Sequence, residues 1–346
     1  MRLIEAIFPA SRFDEIKSVI EAAEPTHFRM HKNGDQGIAR VFFIENGAQE
    51  LVDALQSKCE HEKDWRILVL PVEATAPKPE EPSSEEKNRR KETALREEIY
   101  DDVSSGAELT ANFFVLTIAS TIVAAIGLNT DNVAAVIGAM VIAPLLGPIL
   151  AVTLGATLGD LNLIARAGRN AAIGLTIGVG AAALIGLLGA VNYDSRELLS
   201  RTVVGLDSMA LALAAGVAAA LSIVAGVSSA LVGVMVAVAL LPPAAAMGLF
   251  IGDVEWAFAA RAGLLLFVNV ICIMISSQAV YFWKEVRPRT WVEQKNAARA
   301  MRINVTALAI MLLAAAAIIL FTPTGVMPNN PVKKKIGDAV EGVRGE

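Results

Sequence analysis

Two proline pairs sit inside long apolar stretches, and they are the residues whose spacing points most directly to chemistry. Pro144 and Pro148 lie in Gly138-Ala-Met-Val-Ile-Ala-Pro144-Leu-Leu-Gly147-Pro148, and Pro242 and Pro243 in Gly233-Val-Met-Val-Ala-Val-Ala-Leu-Leu-Pro242-Pro243. A proline inside a helix removes one backbone N–H and clashes with the preceding turn. In lipid the carbonyl left behind needs another partner. A helix broken at these sites exposes carbonyls and a helix N-terminus to a cavity, and such groups bind small ions or polar solutes without a charged side chain. The alternative is a kink whose freed carbonyls are met by neighbouring helices.

The other polar groups in these stretches are neutral. They are Asn112, Thr117, Ser120 and Thr121, then Thr153 and Thr157, then Ser222, Ser228 and Ser229, and finally Asn269, Ser276, Ser277 and Gln278. At helical spacing Asn112, Thr117 and Ser120 fall near one face, toward Asn132 if the chain folds back. The candidate solute or ion site is therefore Asn112, Ser120, Asn132, Pro144, Gly147, Pro148, Pro242 and Pro243. An asparagine in a membrane helix either bonds a neighbouring helix or holds a ligand. Asp131, Asp160, Asp207 and Asp253 sit at helix ends, and Asp160 and Asp253 are expected to cap helices or pair with Arg166 and Arg261.

The sequence has no phosphate-binding glycine loop, no zinc-ligand spacing, no Ser/His/Asp arrangement and no carboxylate pair in its apolar stretches. We therefore expect no enzyme, no cofactor and no metal site. Cys59 and Cys272 read as buried apolar filler. The net charge of −5 implies no nucleic-acid partner.

Positioning these residues falls to a membrane domain. Hydrophobic residues make up 54% of the 346 and charged residues 19%, with the charges gathered at 1–107 and 284–302. A bilayer core needs about 20 apolar residues per helix. Seven stretches qualify, at 110–127, 133–158, 170–191, 208–227, 230–251, 262–283 and 303–321, so the membrane domain is placed at 108–322. The start, MRLIEAIFP, lacks the pattern of a signal peptide. Basic residues in the Gly159–Arg169 loop and in the stretch from Lys284 to Arg302 put the N-terminus inside. Arg196 and Arg201 fall outside, against that rule. The expected location is the inner, plasma membrane of a prokaryote with the N-terminal domain cytoplasmic, and the tail 323–346 is expected to be disordered.

The two proline segments belong to an internal repeat. Gly159-Asp160 matches Gly252-Asp253, each followed by an arginine and a further apolar span. Three spans per copy would insert the second copy upside down, giving an inverted 3+3 repeat at 108–191 and 207–283 with a seventh helix at 303–321. Inverted repeats with broken helices are a transporter architecture with mid-membrane binding sites.

Residues 1–73 alternate between strand and helix patterns. Arg2–Phe8, Thr26–Lys32, Gly37–Ile44 and Trp65–Pro71 read as strands, and Ser11–Ala23 and Ala48–Cys59 as helices, the first capped by Ser11. Asn33-Gly34-Asp35-Gln36-Gly37 is a hairpin signal. The order βαββαβ is that of a ferredoxin-like domain. Its opening, RLIEAIFPASRFDEIKSVIEAA, resembles that of nitrogen-regulatory P-II proteins, without their long loop. That resemblance implies a module that pairs with copies of itself and binds a small effector. His27, Arg29 and His31 share one strand face and form a candidate regulatory anion site, or simply a solvated face. A charged linker, 74–107, follows. Ser83-Ser84-Glu85-Glu86 starts a helix to about Val103, with Leu95, Ile99 and Val103 as a thin apolar stripe.

Gly127–Gly155, GLNTDNVAAVIGAMVIAPLLGPILAVTLG, resembles the bacterial uncharacterised hydrophobic proteins grouped as domain-of-unknown-function family 389. The similarity runs over most of 108–285 and rests on Gly127, Asn132, Gly138, Ala139, Met140, Pro144 and Pro148. It implies a multi-helix prokaryotic membrane protein and leaves the chemistry open. The expectation is a homo-oligomeric transporter or channel in the lipid bilayer, moving a small solute or ion. The alternative is a membrane-anchored ligand sensor or assembly scaffold that transports nothing.

Overall fold

The structure, a computed structural model, describes residues 1–44, 47–59, 62, 64–72, 96–188, 191–226, 229–284, 286, 302–311, 313 and 314, with backbone alone for 229–238. It divides into two compact units, Met1–Glu98 and Ile99–Glu346.

The first unit carries a four-stranded antiparallel sheet. Strands β1 (Arg2–Pro9), β2 (His27–Asn33), β3 (Gln36–Phe43) and β4 (Arg66–Pro71) lie in the order β2-β3-β1-β4. Helices α1 (Phe13–Ala22) and α2 (Ala48–Cys59) complete the unit. Strand side chains alternate, so Ile4, Ala6, Phe8, Ala39, Val41 and Phe43 form a core with Ile16 and Ile20 of α1 and Leu51, Val52 and Leu55 of α2. Gly34 turns the β2–β3 hairpin at φ +60, a conformation that favours glycine. Ser11 does not cap α1, contrary to expectation. The chain leaves β1 through a 3-10 turn, Ala10–Arg12, and Arg12 takes the cap position without a side-chain cap bond. The Arg12 guanidinium instead bonds Glu15 at 2.6 Å and Glu62 at 3.1 Å.

Helix α3 (Arg96–Gly106) contributes its first turn to this unit. Arg96 bonds Asp53 at 2.8 Å and Glu97 at 2.5 Å, and Arg2 bonds Glu98 at 3.0 Å. Burial alone would raise the Glu97 carboxyl, but hydrogen bonds from Arg96 and Gln49 outweigh it and hold it below its usual range. The expected capping box at Ser83–Glu86 and Leu95 lie outside the described residues. Ile99 and Val103 of the thin stripe are buried, so that face of α3 is packed.

The second unit is helical: α4 (Ala111–Asn129), α5 (Val133–Ile142), α6 (Leu146–Leu158), α7 (Leu161–Leu187), α8 (Arg196–Ser200), α9 (Leu206–Val224), α10 (Ser229–Gly252) and α11 (Trp256–Trp283). A short apolar helix, Arg302–Met311, is also described. Among the described residues four helices, α4, α7, α9 and α11, are long and apolar enough to cross a membrane, and α5 with α6 makes a fifth candidate bent by 53°. Their outward faces carry exposed Val115, Ile118, Ile122 and Ile126 on α4 and Val133, Ile137 and Val141 on α5, an apolar surface suited to lipid. Exposed tryptophans, Trp256 and Trp283, stand at the two ends of α11. At 1.5 Å per residue those ends are roughly 40 Å apart, the thickness of a bilayer with its interfaces.

Small residues set the packing. A Cβ on Gly186 of α7 would fall 2.1 Å from the Leu249 carbonyl oxygen, and one on Gly252 would fall 2.1 Å from that of Ala183. A Cβ on Gly248 would fall 2.4 Å from the Val179 carbonyl oxygen, so the α7 and α10 backbones touch at these ends and run parallel, as small residues permit between membrane helices. Gly174 and Gly178 of α7 likewise meet Phe113 and then Thr117 and Thr121 of α4 in the same sense.

The expected loop Gly159–Arg169 is instead the start of α7. Gly159 adopts φ +77, and Asp160 Oδ1 accepts from the Asn162 and Leu163 amides at 3.0 Å. A capped helix begins there, so Arg166 and Arg169 ride exposed on its first turns. The two proline segments also differ. Ala143 adopts ψ 123, as a residue before proline prefers, and the helix breaks between Ile142 and Leu146. Pro242 and Pro243 instead lie inside one continuous α10.

Candidate functional site

Pro144 brings no N–H to the Met140 carbonyl one turn back. Beyond the break, α6 begins with no side-chain cap. Its first turn lies directly on the end of α3, because a Cβ on Gly147 would fall 2.0 Å from the Gly106 carbonyl oxygen. A helix N-terminus attracts negative partial charge, and the Gly106 carbonyl supplies it. Asn170 of α7 holds this region by donating from Nδ2 to the Ala107 carbonyl at 2.9 Å. The α6 N-terminus is therefore covered by the chain's own backbone.

The second proline pair is closed differently. Pro243 leaves the Ala239 carbonyl without its helical donor, and Asn269 Nδ2 of α11 donates to it at 2.8 Å. Of the two readings of an intramembrane asparagine, the interhelical bond is the one Asn269 makes with its amide nitrogen. Its Oδ1 has no partner among the described residues.

The remaining expected site residues do not converge. Asn112 is exposed, apart from the buried face of Phe113, Thr117 and Ser120, because position 112 is one residue off that stripe. Asn132 is exposed and caps α5, its Oδ1 accepting from the Ala135 amide at 3.1 Å. Ser120 is buried, but its hydroxyl donates to the Thr117 carbonyl of its own helix at 3.0 Å. Pro148, Pro242 and Pro243 are buried, and Pro144 and Gly147 half-buried. The buried atoms without partners include Thr117 Oγ1, Thr121 Oγ1, Asn170 Oδ1, Asn269 Oδ1, both polar atoms of Gln278 and the Tyr281 hydroxyl. In the first unit His27, Arg29 and His31 share one exposed face of β2, with Arg29 opposite Arg40 across the ladder. Arg40 in turn bonds Glu5 at 2.5 Å.

Two tyrosines, absent from the sequence-based site, tie the second unit together. Tyr100 of α3 donates to Asp160 Oδ2 at 2.8 Å, at the α6–α7 junction. Tyr193 donates to Asp253 Oδ2, at the α10–α11 junction. Around the first pair, Arg166 bonds Ser104 at 2.9 Å. Around the second, Ser195 donates to the Leu128 carbonyl at 2.5 Å and the Glu197 amide to Asp131 at 2.8 Å. The pairs mark opposite ends of the helical unit, with α7 running roughly 40 Å between them. Burial and the facing carboxylate raise both phenols, Tyr193 far above its usual range. Each tyrosine precedes its aspartate by 60 residues, an equal offset readable from the sequence.

A family model described as domain of unknown function (DUF389) matches residues 140–275. An uncharacterised protein from Methanocaldococcus jannaschii is 31% identical over 299 residues, 86% of this chain and 92% of that protein. That relative is archaeal, so the similarity is wider than the bacterial label expected from sequence. No solved structure matches the chain. By the family match and the relative together, the chain belongs to the family of the domain of unknown function DUF389.

Proposed function

We propose that this protein is a membrane transporter or channel for a small solute or ion. Its core is two inverted halves, α4 to α7 and α9 to α11, and the expected seventh helix at 303–321 lies in part outside the described residues. The observation that carries this reading is the pair of tyrosine–aspartate contacts, Tyr100–Asp160 and Tyr193–Asp253, at equivalent helix junctions on opposite ends. Junction geometry adds support. Positive φ occurs at Asp131 and Gly159 in the first half and at Gly226 and Val254 in the second, at the α4–α5, α6–α7, α9–α10 and α10–α11 connections. Inverted halves with a broken helix favour alternating access around a mid-membrane site. The ligand groups are then backbone and neutral side chains at the α5–α6 break, and access requires the end of α3 to leave Gly147.

The first unit is proposed to be a ferredoxin-like domain, on its element order and its sheet order β2-β3-β1-β4. It would lie in the cytoplasm of a prokaryotic cell, assemble copies of the chain, and offer His27, Arg29 and His31 to an anionic effector. No enzymatic activity is proposed.

Flux into proteoliposomes, measured for a panel of small ions and uncharged solutes, tests the transport reading. Pro144→Ala with Pro148→Ala is expected to change flux strongly while leaving the fold intact. Unaltered flux in that variant contradicts a broken-helix site. A scaffold that moves nothing is the second reading, favoured by the closure of the Ala239 carbonyl by Asn269. It predicts no flux for any solute on the panel.

A further inference from the structure

Gln278 of α11 is 3% exposed, and neither its amide nitrogen nor its carbonyl oxygen has a hydrogen-bond partner among the described residues. Tyr281, one turn further, is fully buried and its hydroxyl also lacks a partner. Residues three apart on a helix share a face, so one small molecule can reach both. The adjacent hydroxyls are already used: Ser277 donates to the Gly216 carbonyl at 3.1 Å and Ser276 to that of Ile273 at 3.2 Å. Asn269 lies nine residues away, half a turn round the helix, and belongs to the α10 contact instead.

A buried polar group without a partner is unfavourable, and native structures supply one. The chemistry of the partner follows from the groups. A primary amide offers two N–H donors and a carbonyl acceptor, and a phenol offers one donor and an acceptor. An anion satisfies the donors and strands Gln278 Oε1. A cation satisfies the oxygens and strands Gln278 Nε2. Between Arg261 and Lys284, α11 has no ionisable residue except Tyr281 and the thiol of Cys272, and of the helices that pack most extensively against it among the described residues, α6 and α10 have none and α9 has only Asp207 in its first turn. A charged ligand here would go unpaired in a low-dielectric region.

We infer that Gln278 and Tyr281 form a binding site for a small uncharged solute that carries both a hydrogen-bond donor and an acceptor, such as an amide or a polyol. This goes beyond the transport reading and does not depend on it, since binding is measured without flux.

The test is thermal unfolding of the full-length protein in detergent with acetamide or glycerol, against sodium acetate and ammonium chloride. Wild type, Gln278→Met and Tyr281→Phe are compared. The uncharged probes are expected to raise the Tm of wild type more than the ions do. Gln278→Met, which keeps the volume and removes both unpaired atoms, folds and loses that increment. Tyr281→Phe binds about tenfold more weakly, the effect of one lost hydrogen bond. An equal increment in Gln278→Met overturns the site, because the probes then act as general osmolytes. A larger increment from acetate or ammonium overturns the ligand class. No increment from any probe means internal water only, and also overturns the inference.

Discussion

Asn269 of α11 donates its side-chain amide to the Ala239 carbonyl of α10 at 2.8 Å, the carbonyl that Pro243 leaves without a helical donor. A side chain from one helix thus repairs a backbone defect in another. Asn269→Ala should lower stability by about 1–3 kcal/mol, the effect of stranding a buried carbonyl. In a Pro243→Ala background, which restores the helical N–H, the same substitution should matter much less. A double-mutant cycle measures the coupling, and a value near zero contradicts the repair.

Much of the first unit could be read from its sequence because strand alternation and turn chemistry are local. The 2-residue period of Ile4, Ala6 and Phe8 and the glycine of the hairpin place β1, β2 and β3 within one residue of the expected bounds. The proline break at Pro144 was legible for the same reason, since the residue before proline is pushed to extended geometry. The continuity of α10 was not, because it depends on Asn269, thirty residues away. Asn112 and Asn132 stand apart from the buried stripe, because a polar residue at a helix start caps or faces outward as readily as it binds. Tyr100 and Tyr193 sit outside the apolar spans, and only their common spacing to aspartate marks them in the sequence.

The Tyr193–Asp253 contact sets an alkaline limit. Burial and the carboxylate raise the folded-state phenol well above the unfolded value of about 10. The raised group contributes stability that is complete below that unfolded value and is lost as pH rises through the folded one. Thermal unfolding from neutral pH to about pH 11 should therefore show a steep loss of Tm above pH 10 in wild type. Tyr193→Phe should flatten that limb while lowering Tm at neutral pH. A limb of unchanged steepness in the variant contradicts this assignment.

Val254 holds φ +62 at the α10–α11 junction, where a β-branched residue is strained, and its side chain is exposed. Such a conformation is unfavourable by roughly 1–2 kcal/mol for an L-residue. Val254→Gly relieves the strain, offset in part by backbone entropy, so a small rise in Tm is expected. A fall in Tm would mean that the valine contributes contacts that outweigh its strain.

Gly147 and the end of α3 occupy one another's space. A Cβ on Gly147 falls 2.0 Å from the Gly106 carbonyl oxygen, too close for any side chain without movement of the backbone. Gly147→Ala should destabilise the protein by about 1–3 kcal/mol, as overpacking does. It should also displace α3, making the Ser105 region exchange backbone hydrogens faster. Unchanged exchange at 104–107 contradicts the covering of the α6 N-terminus by α3.

The two tyrosine–aspartate ends of the core are proposed to face opposite sides of a membrane. Ser105 and Asp194, one at each end, are exposed. Each is changed singly to cysteine in a background where the buried Cys59 and Cys272 are alanine. A membrane-impermeant thiol reagent is then applied to right-side-out and inside-out vesicles. Asp194→Cys is expected to label only in right-side-out vesicles and Ser105→Cys only in inside-out ones. Labelling of both from the same side would contradict that placement.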